Sequence, residues 1–399
     1  MPTPPVPQHC PTPVELDDLE LLTSGALGEA VFNQPGSLVT LTLPEPVAAQ
    51  ARSVGAVELV DPEGLPLARV SWPGGVVDPL THAQYGPFRD LMLTPTAYRE
   101  RYAGRTVVPV SDPLTTAQVE QLAGLGPVTL LALMGTGTPW LSPVGLVRAT
   151  RAAARLLPDA VVVTVPLAAH GDADADHALG VQVVEAFAAG DPVHALGDDE
   201  GELPDAVAAV VDRDRPPPDR QGLVVFFTGL SGSGKSTLAR ALTDLLLEQG
   251  QRTVTSLDGD VVRRTLSAGL TFSKEDRQTQ IRRIGWVAAE ISRHGGVAVV
   301  SPIAPFDDTR KEVRAMVGAA GGAFFLVHVA TPLEECERRD RKGMYAKARA
   351  GEIPEFTGIS SPYEEPRDAD VRVDTTGRTV EDALGDVLAG LRDAGYIDG

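Results

Sequence analysis

The stretch GLSGSGKS (229–236) is the sequence feature that most constrains how this chain can fold. It fits the pattern G-x-x-x-x-G-K-[S/T], directly after the apolar run LVVFF (223–227) and directly before an amphipathic segment that ends at Gln249. Glycines let backbone N–H groups turn toward phosphate oxygens, and the helix N-terminus adds partial positive charge. The alternative is a glycine-rich turn with an incidental lysine, which the flanking strand and helix argue against. The sequence therefore predicts a phosphate-binding loop.

The residue types of this loop fit a nucleoside triphosphate bound with magnesium. The Lys235 ammonium group is predicted to bridge the β- and γ-phosphates and the Ser236 hydroxyl to hold Mg²⁺, so ATP with Mg²⁺ is the expected donor. The predicted ATP-binding residues are Gly229, Leu230, Ser231, Gly232, Ser233, Gly234, Lys235, Ser236 and Thr237.

The chain around and beyond this loop alternates apolar runs with helical patterns. The predicted strands are 223–227, 253–257, 297–301 and 323–329, and the predicted helices are 236–249, 274–293, 310–317 and one near 380–391. Such alternation implies right-handed crossovers and a parallel sheet with helices on both faces. The expected class is α/β, with a P-loop nucleoside/nucleotide-kinase-like sheet.

The chain of 399 residues is long enough for two domains, and composition places the boundary. The charged, proline-rich stretch DRDRPPPDR (212–220) predicts an extended connection. Before it, SLVTLTL (37–43) and later short alternating runs up to about residue 73 predict a β-rich unit, followed by mixed helices and strands. The predicted organisation is a flexible Pro-rich lead at 1–15, a first region at 16–205, a linker at 206–221 and a P-loop domain at 222–399.

Charge and cysteine content exclude several classes of protein. The chain has 54 acidic and 35 basic residues, a net charge of −19, which argues against binding a nucleic acid polymer or an anionic membrane. Cys10 and Cys336 lie far apart and predict no disulfide framework. The N-terminus lacks the apolar core of a signal peptide, and no apolar stretch approaches membrane-spanning length. The expected location is the cytoplasm.

Two carboxylates follow the second predicted strand, in LDGD (257–260). Open parallel sheets place ligands at the carboxyl ends of their strands, so Asp258 and Asp260 are expected to lie beside the triphosphate. One of them could orient and deprotonate an attacking hydroxyl. The alternative is that aspartate serves here as a turn residue or helix cap.

Arginines and isolated aromatics follow these carboxylates. Arg263, Arg277, Arg282 and Arg283 form a local basic cluster in an acidic protein, which indicates an anionic acceptor, although solvated helix faces are an alternative. Phe272 and Phe356 stand in polar surroundings and could sandwich a flat base, or serve as small core anchors. The residues therefore suggest an anionic acceptor and leave open whether the two phenylalanines bind a flat base or serve as core anchors.

The charged stretch RKGMYAKARAGEIPEFTGISSPYEEP (341–366) is longer than most loops of compact domains. Phosphoryl transfer requires a site from which water is excluded, and mobile lids exclude it. The stretch is therefore predicted to be a mobile lid over the site. Gly343, Gly351 and Gly358 are expected to allow hinge motion. A disordered surface loop is the alternative, and ordering on ligand binding would separate the two.

The motifs GLSGSGKST, LDGD, FSKEDR…IRR, the segment PLEECERRDRKGMYAKARAGEIPEFTGISSPYEEP and DTT (374–376) together resemble adenylyl-sulfate (APS) kinase over about 222–399. The resemblance implies transfer of the ATP γ-phosphate to the 3′-hydroxyl of adenosine 5′-phosphosulfate, giving PAPS and ADP in sulfate assimilation. It implies Asp260 as the base, Lys235 and Lys342 at the transferring group, and an adenine clamp of two phenylalanines. The implied substrate-binding residues are Asp258, Arg263, Phe272, Arg277, Gln280, Ile303, Ala304 and Phe356.

The sequence departs from the family pattern at several positions. Val261 and Arg264 replace an Asn and a His, and Gln280 replaces an Asn, which puts one acceptor hydrogen bond in doubt. In SPIAPFDDTR (301–310), Ala304 replaces a Ser, Phe306 a Tyr and Asp307 an Arg. Direct in-line transfer does not need that Ser. Asp307 reverses the charge near an anionic acceptor.

Fragments of residues 20–200 resemble ATP sulfurylase, which implies a PUA-like β-rich part followed by an α/β part. In that family, histidines and arginines handle the ATP phosphates. The stretch PVSDPLTTAQ (109–118) lacks every His and the Arg of the family's motif, and GDPVHALG (190–197) lacks the Arg of a second motif. Because these cations are missing, sulfate adenylyltransferase activity is predicted to be absent. The region could then be structural, regulatory or a dimerisation element.

Two alternatives to APS kinase activity remain open from the sequence. One is a non-catalytic module that senses APS or PAPS and regulates a partner. The other is a P-loop kinase for another small hydroxylated acceptor. ATP and APS are the expected small-molecule partners, and a homo-oligomer, with a dimer as the guess, is the expected assembly.

Overall fold

The computed structural model of the chain describes residues 5–83, 86–137, 140–340 and 342–398. The chain divides into two compact units, Met1–Arg215 and Pro216–Gly399. Both units contain parallel strands with helices packed against them, which confirms the predicted α/β class. Across these described ranges, every helix is too short or too polar to cross a lipid bilayer.

The first unit contains two sheets. Its strands are β1 (Gln8–His9), β2 (Ala56–Val60), β3 (Pro66–Ser71), β4 (Val77–Pro79), β5 (Thr106–Val110), β6 (Val128–Met134) and β7 (Ala160–Pro166). Its α-helices are α1 (Pro13–Ser24), α2 (Glu45–Val54), α3 (Pro95–Tyr102), α4 (Thr116–Ala123), α5 (Pro143–Ala154), α6 (Ala173–Ala188) and α7 (Asp205–Asp214), with a short 3₁₀ turn at Arg89–Leu91. Strands β1 to β4 form a mostly antiparallel sheet, and β5, β6 and β7 form a parallel sheet in that order.

The prediction of a flexible lead at 1–15 is wrong for the residues that the structure describes from Gln8 onward. Strand β1 pairs in parallel with β2, and α1 begins at Pro13. Thr12 and Glu15 form a capping box at this helix start, a feature that satisfies two otherwise unpaired N–H groups. Residues 1–4 lie outside the described residues.

Residues 37–43 were expected to form a strand and do not. Their alternating side chains Val39 and Leu41 are buried in the core, as the pattern indicates. However, the Leu41 N–H donates to the Asn33 side-chain oxygen at 3.0 Å, and the Asn33 side-chain amide donates to the Leu41 carbonyl oxygen at 3.2 Å. The backbone is therefore satisfied by a side chain instead of a neighbouring strand.

The predicted linker at 206–221 is wrong over 206–214, which belong to helix α7. Val207 is fully buried and packs against α5 in the core beside the parallel sheet, with Val210 and Val211 partly buried next to it. The Asp214 carboxylate also accepts hydrogen bonds from Ser142 at the start of α5. Helical spacing of three valines outweighs the charged flanks, so the break between units falls at the triple proline that starts at Pro216.

A buried charged cluster joins α1 to the segment after β7. The His170 ring contacts Asp18 at 3.2 Å and Asp176 at 2.8 Å, and the Asp18 side chain is 1% exposed. Burial raises the pKa of Asp18 to about 6, although the hydrogen bond from His170 opposes this. Burial also disfavours charge on His170, but the hydrogen bonds to Asp176 and Asp18 outweigh it and raise the His170 pKa.

We expect the first unit to become less stable as pH rises from 5.5 to 8.5. The raised pKa of Asp18 costs stability as pH rises from about 4 to 6, and the favourable charge on His170 is lost as pH rises through its raised pKa above about 6.5. Hydrogen bonds to a charged group contribute about 1.5–3 kcal/mol. His170→Gln should therefore cost about 2 kcal/mol at pH 5.5 and much less at pH 8.5.

Urea unfolding followed by Trp72 and Trp140 fluorescence, in a Trp286→Phe background, measures this effect in the first unit. Trp286 is 62% exposed in the second unit, so its replacement is a mild change. An equal loss of stability in the His170→Gln variant at both pH values would contradict the expected role of the charge.

The second unit is built around one parallel sheet. Its strands are β8 (Leu223–Thr228), β9 (Val254–Asp258), β10 (Val297–Ser301), β11 (Ala323–Val329) and β12 (Val371–Val373). Its helices are α8 (Lys235–Gln249), α9 (Gly259–Arg264), α10 (Lys274–Arg293), α11 (Asp307–Ala319), α12 (Leu333–Arg339), α13 (Met344–Arg349) and α14 (Val380–Asp393). The strand order is β12-β11-β8-β10-β9, and each neighbouring pair is parallel.

Strand β8 lies at the centre of this sheet, and all six of its residues are buried. Val225 and Phe227 pack into the cluster that includes α8 and α14, whereas Val224 and Phe226 pack into the one that includes α10 and α11. Burying one such side chain contributes about 1.5–3 kcal/mol, so both faces need helices. This packing holds the C-terminal end of β8 rigidly where the phosphate-binding loop begins.

Candidate active site

The loop GLSGSGKS leaves β8 and enters α8, as the sequence predicted. Gly229 has φ +149°, and a Cβ there would lie 2.4 Å from the Val329 carbonyl oxygen. Gly234 has φ +104° at the N-cap of α8. Side chains rarely adopt such backbone angles, so glycine is required at both positions. The loop therefore presents backbone N–H groups and a helix N-terminus at the carboxyl end of the sheet.

Lys235 is held inside this loop. Its side chain is buried, and its ammonium group donates to the Leu230 carbonyl oxygen at 2.6 Å. Burial lowers the pKa of Lys235 to about 8, while Asp258 and Asp260 act in the opposite direction. The side chain is thus still mostly charged at pH 7 and aimed across the cradle that a phosphate chain would fill.

Three side chains brace the loop from outside. The hydroxyls of Thr331 and Thr375 both donate to the Ser233 carbonyl oxygen at 2.9 Å. The Arg339 guanidinium donates to the Thr375 hydroxyl at 2.8 Å and to its carbonyl oxygen at 3.0 Å. In the same loop, the buried Ser233 hydroxyl has no hydrogen-bond partner within the described ranges. These contacts fix the loop's shape independently of any bound nucleotide.

Asp258 and Asp260 lie where β9 ends and α9 begins. The Asp258 carboxylate caps α9 by accepting from the Asp260 N–H at 3.0 Å, and accepts from the Ser301 hydroxyl at 3.2 Å. Burial would raise the pKa of Asp258, but these bonds and the neighbouring Ser236 hydroxyl outweigh it and lower the pKa. Asp258 is therefore both a helix cap and an ionised carboxylate beside the phosphate-binding loop.

Asp260 has a different environment. Its carboxylate accepts a hydrogen bond from the Lys342 ammonium group, and both side chains are about two-thirds exposed. An exposed ion pair of this kind contributes little to stability. The pair nevertheless places the two side chains implied for catalysis side by side, near the entrance of the phosphate-binding loop.

Arg263, Gln280 and Phe272 form a group at α9 and α10. The Arg263 guanidinium donates to the Gln280 side-chain oxygen, and the Gln280 amide donates to the Gly259 carbonyl oxygen at 3.2 Å. The Arg263 guanidinium also lies 4.4 Å from the centre of the Phe272 ring, which is 59% exposed. Gln280, which departs from the family's Asn, therefore orients Arg263 by bridging it to the start of α9.

Arg277 connects α10 to the segment 342–366. It donates to the Thr357 hydroxyl at 3.0 Å and to the Ser361 hydroxyl at 3.1 Å, and its guanidinium lies 5.4 Å from the centre of the Phe306 ring. Its buried Nε has no partner in the part of the chain that the structure describes. The Glu355 carboxylate lies 3.9 Å from a terminal nitrogen of the Arg277 guanidinium.

The segment 342–366 contains more structure than the expected long loop; Arg341 lies outside the described residues. Asp340 accepts from the N–H groups of Tyr345 and Ala346 and so starts helix α13. Phe356 is 9% exposed and packs edge-on against Tyr345 at 5.0 Å, in a small apolar cluster. The other members of this cluster are Cys336, Ala348, Leu230, Leu333, Met344, Ile353 and Ile359.

The two predicted faces of an aromatic clamp thus differ in this structure. Phe272 is exposed under Arg263, whereas Phe356 is covered within the apolar cluster of the lid. The scattered apolar residues of this segment gave no run that a sequence pattern could detect. They meet only because α13 and the following turns bring them together.

Ile303 and Ala304 lie between β10 and α11. The Thr228 hydroxyl donates to the Ile303 carbonyl oxygen at 2.6 Å, which ties this segment to the end of β8. Ala304 is buried and has φ +46°, a left-handed backbone that costs a non-glycine residue energy. Such a conformation persists only where neighbours enforce it.

A sequence model of the family described as adenylylsulphate kinase matches residues 221–374. Residues 221–374 belong to this family. The kinase domain so identified contains the phosphate-binding loop, both carboxylates, the arginines and the lid segment described above.

Proteins similar to this chain include the sulfate adenylyltransferase of Neosartorya fischeri, 48% identical over 192 residues. That alignment covers 48% of this chain and 33% of the relative, so the chain spans about a third of the length of the curated relatives it matches. A solved structure described as a hexameric APS kinase from Thiobacillus denitrificans matches with a TM-score of 0.73 and 26% identity, over 99% of this chain and 94% of that one. An APS kinase from Mycobacterium tuberculosis, solved with AMPPNP and APS, is 44% identical over 43% of this chain and 98% of its own, with a TM-score of 0.41.

The charge reversal at Asp307 is compensated within the kinase domain. Its carboxylate lies 2.7 Å from the Lys311 ammonium group and 3.1 Å from the Arg310 guanidinium. Lys311 lowers the pKa of Asp307, with burial opposing and Arg310 adding to the effect. The negative charge is therefore locally neutralised instead of facing an anionic acceptor unpaired.

Sequence reasoning missed several residues that shape the kinase site. Thr375 carried a signal, because it belongs to the DTT motif (374–376) of the resemblance. Arg339 also lies within a segment that carries the resemblance, whereas nothing beyond ordinary polarity marks Thr331. Thr331 bonds to a residue 98 positions away along the chain and Arg339 to one 36 positions away. Only the folded sheet brings them to the phosphate-binding loop.

Proposed function

We propose that this protein transfers the γ-phosphoryl group of ATP to the 3′-hydroxyl of adenosine 5′-phosphosulfate, giving PAPS and ADP in sulfate assimilation. The observation that carries this proposal is the position of Asp258 and Asp260 at the end of β9, beside Lys235 and Ser236, within a domain of the adenylylsulphate kinase family. A carboxylate there can serve a hydroxyl acceptor next to the phosphate chain.

The proposed reaction is an in-line displacement. A bond forms between the acceptor 3′-oxygen and the γ-phosphorus, while the bond from the γ-phosphorus to the β,γ-bridging oxygen breaks. Asp260 accepts the hydroxyl proton, and ADP leaves with the electron pair of the broken bond. Lys235 stabilises the charge on the β- and γ-phosphates, and Lys342 leaves Asp260 to contact the transferring group.

Magnesium fits the residues present. The Ser236 hydroxyl lies beside the Asp258 carboxylate, and both supply the hard oxygen ligands that Mg²⁺ prefers. These two residues would hold the ion, directly or through water. Bound there, Mg²⁺ would neutralise negative charge on the phosphate oxygens.

The acceptor would occupy the other side of Asp260. Arg263 and Arg277 are proposed to bind the phosphosulfate. The Arg263 guanidinium, near the end of α9, lies over the Phe272 ring. The Arg277 guanidinium, near the start of α10, lies beside the Phe306 ring and the hydroxyls of Thr357 and Ser361. Phe272 and Phe356 are proposed to cover the adenine. Further proposed contacts come from Asp258, Gln280, Ile303 and Ala304.

For the first unit we propose that sulfate adenylyltransferase activity is absent, although the curated relatives carry that name. The segment 109–118 spans the end of β5 and the start of α4 and has no cationic side chain. The segment 190–197 contains His194, whose ring contacts the Gln121 amide at 2.9 Å. The absence of lysine and arginine from both segments supports the proposal, because a nucleotidyl transition state develops negative charge that needs neutralising.

A homo-oligomer is proposed for the assembly, in line with the hexameric description of the Thiobacillus denitrificans structure, and the dimer is retained as the simplest form. Both cysteines are free thiols, Cys10 exposed and Cys336 buried. This agrees with a reducing compartment, and the cytoplasm is the proposed location.

The test is ADP release from ATP and Mg²⁺, measured by coupled assay with and without APS. APS-dependent turnover at micromolar APS is expected, and PAPS should form in step with ADP. Turnover only with a different acceptor, or binding of APS without turnover, would favour the other two functions. Sulfate-dependent release of pyrophosphate from ATP, measured on the same preparation, would overturn the proposal for the first unit.

A further inference from the structure

The C-terminal end of the lid segment is bonded to the segment that carries the proposed acceptor contacts. We call Tyr363–Glu364 the lid anchor and residues 302–307 the acceptor loop. The Glu364 N–H donates to the Pro305 carbonyl oxygen at 2.9 Å, and the Asp307 N–H donates to the Glu364 carboxylate at 2.7 Å. The two segments are 57 residues apart along the chain and are joined by reciprocal hydrogen bonds.

Arg310 forms further hydrogen bonds to both the acceptor loop and the lid anchor. Its side chain is 2% exposed, and its guanidinium donates to the Ala304 carbonyl oxygen at 2.8 Å and to the Glu364 carbonyl oxygen at 2.7 Å. Asp307 balances its charge at 3.1 Å. A rigid planar group with several donors can bridge two carbonyls in this way, which a lysine cannot reproduce with its single ammonium group.

Tyr363 supplies the second connection. Its hydroxyl lies 3.0 Å from the Thr228 hydroxyl, which in turn donates to the Ile303 carbonyl oxygen. Its ring stacks on the buried His328 ring at 5.8 Å. Thr228 is the last residue of β8, so this chain of contacts also reaches the start of the phosphate-binding loop.

Together these bonds explain how Ala304 keeps its left-handed backbone. Its carbonyl oxygen accepts from Arg310 at 2.8 Å and from the Thr228 hydroxyl at 3.3 Å, and the Ile303 carbonyl oxygen before it accepts from Thr228 at 2.6 Å. The carbonyl groups on both sides of the strained Ala304 Cα are therefore held. A strained residue at a proposed binding position points to a loop whose shape matters.

We propose that Arg310 and Glu364 are positioning residues for the acceptor: they lock the acceptor loop to the C-terminal end of the lid, so that acceptor binding and lid closure are one event. The lid end at Glu364 then stays fixed, and movement is confined to the part between the Gly343 turn and the anchor. This inference rests on the proposed kinase function, since it assigns the acceptor to this loop.

The test compares Glu364→Ala and Arg310→Lys with the wild type, with Glu365→Ala as the matched control. Glu364 and Glu365 are both exposed neighbours in the chain, but hydrogen bonds to the acceptor loop are made by Glu364. Steady-state kinetics give the KM values for APS and ATP and kcat. A separate assay gives ADP release in the absence of APS as a fraction of ADP release in its presence.

Glu364→Ala should raise the KM for APS about tenfold, the size expected from losing a hydrogen bond to a charged group, with the KM for ATP changed less than about twofold. The APS-independent fraction of ADP release should rise, and Glu365→Ala should behave as wild type. Arg310→Lys should give the same pattern. A purely structural role would instead lower the melting temperature and kcat while leaving the ratio of the two KM values unchanged.

The inference is overturned if the wild type turns over APS and both variants, Glu364→Ala and Arg310→Lys, keep the wild-type KM for APS and the wild-type fraction of APS-independent ADP release. It is also overturned if Glu365→Ala matches Glu364→Ala. If the wild type itself shows no APS-dependent turnover, the proposed kinase function is wrong. This failure can be told apart from failure of the inference, because it is seen in the wild type without any variant.

Discussion

Lys235→Ala is expected to lower kcat for phosphoryl transfer by about a thousandfold. The buried ammonium group is the cation inside the phosphate-binding loop, 2.6 Å from the Leu230 carbonyl oxygen, and a prearranged charge at a developing anion accounts for roughly 10²–10³ in rate. Because a phosphate chain of ATP would replace that carbonyl contact, the KM for ATP should rise as well. Steady-state kinetics with ATP, Mg²⁺ and APS measure both effects.

Arg240→Ala is the matched control for this change. It removes one positive charge from the exposed face of the same helix, α8. The control should keep wild-type kcat, and circular dichroism should show that both variants remain folded. A Lys235→Ala enzyme with kcat within a few-fold of wild type would show that the loop does not bind the transferred phosphate.

Asp260→Asn is expected to lower kcat by roughly a hundred- to ten-thousandfold, the range for loss of a general base. The substitution keeps the shape of the side chain but removes its charge and its affinity for the hydroxyl proton. The pairing with Lys342 would also weaken. Since Asp260 lies on the acceptor side of the loop, the KM for ATP should change little.

Asp244→Asn, an exposed carboxylate on α8, controls for the loss of one negative charge. Its kcat should match the wild type. If Asp260→Asn retains kcat and Asp258→Asn loses it, the two carboxylates have exchanged the roles proposed for them. If both retain kcat, proton removal by either carboxylate is excluded.

The phosphate-binding loop and the elements around it were predictable because their determinants are local. The helix 274–293 begins and ends at the predicted residues, and the four predicted strands of the kinase domain are all present. The required glycine angles at Gly229 and Gly234 follow from the motif itself. Period and turn chemistry act over a few residues, which a sequence displays directly.

The start of helix α11 decides whether the Asp307 charge is compensated. The predicted helix began near Arg310, whereas α11 begins at Asp307. With the earlier start, Asp307, Arg310 and Lys311 stand at helical i, i+3 and i+4 positions, where opposite charges pair. The compensation was therefore present in the sequence but hidden by the misplaced helix start.

In the first unit, different local sequence features favoured different structures, and the predictions of a flexible lead and a linker rested on the weaker ones. Proline and charge predicted a lead and a linker, but the Thr12–Glu15 capping box and the spacing of Val207, Val210 and Val211 produce helices α1 and α7. The alternation at 37–43 correctly marked buried residues, but a strand also needs a neighbouring backbone to pair with. Asn33 occupies that role instead.

The sequence by itself determined a phosphate-binding loop between a buried strand and a helix, the carboxylates after the next strand, and an α/β fold, since each depends on neighbouring residues. Only the tertiary structure decided that Arg339 and Thr331 brace the loop, that Phe356 is covered in the lid, and that Arg310 joins Ala304 to Glu364. These contacts join residues far apart along the chain, and their geometry exists only once the sheet has closed and its helices have packed.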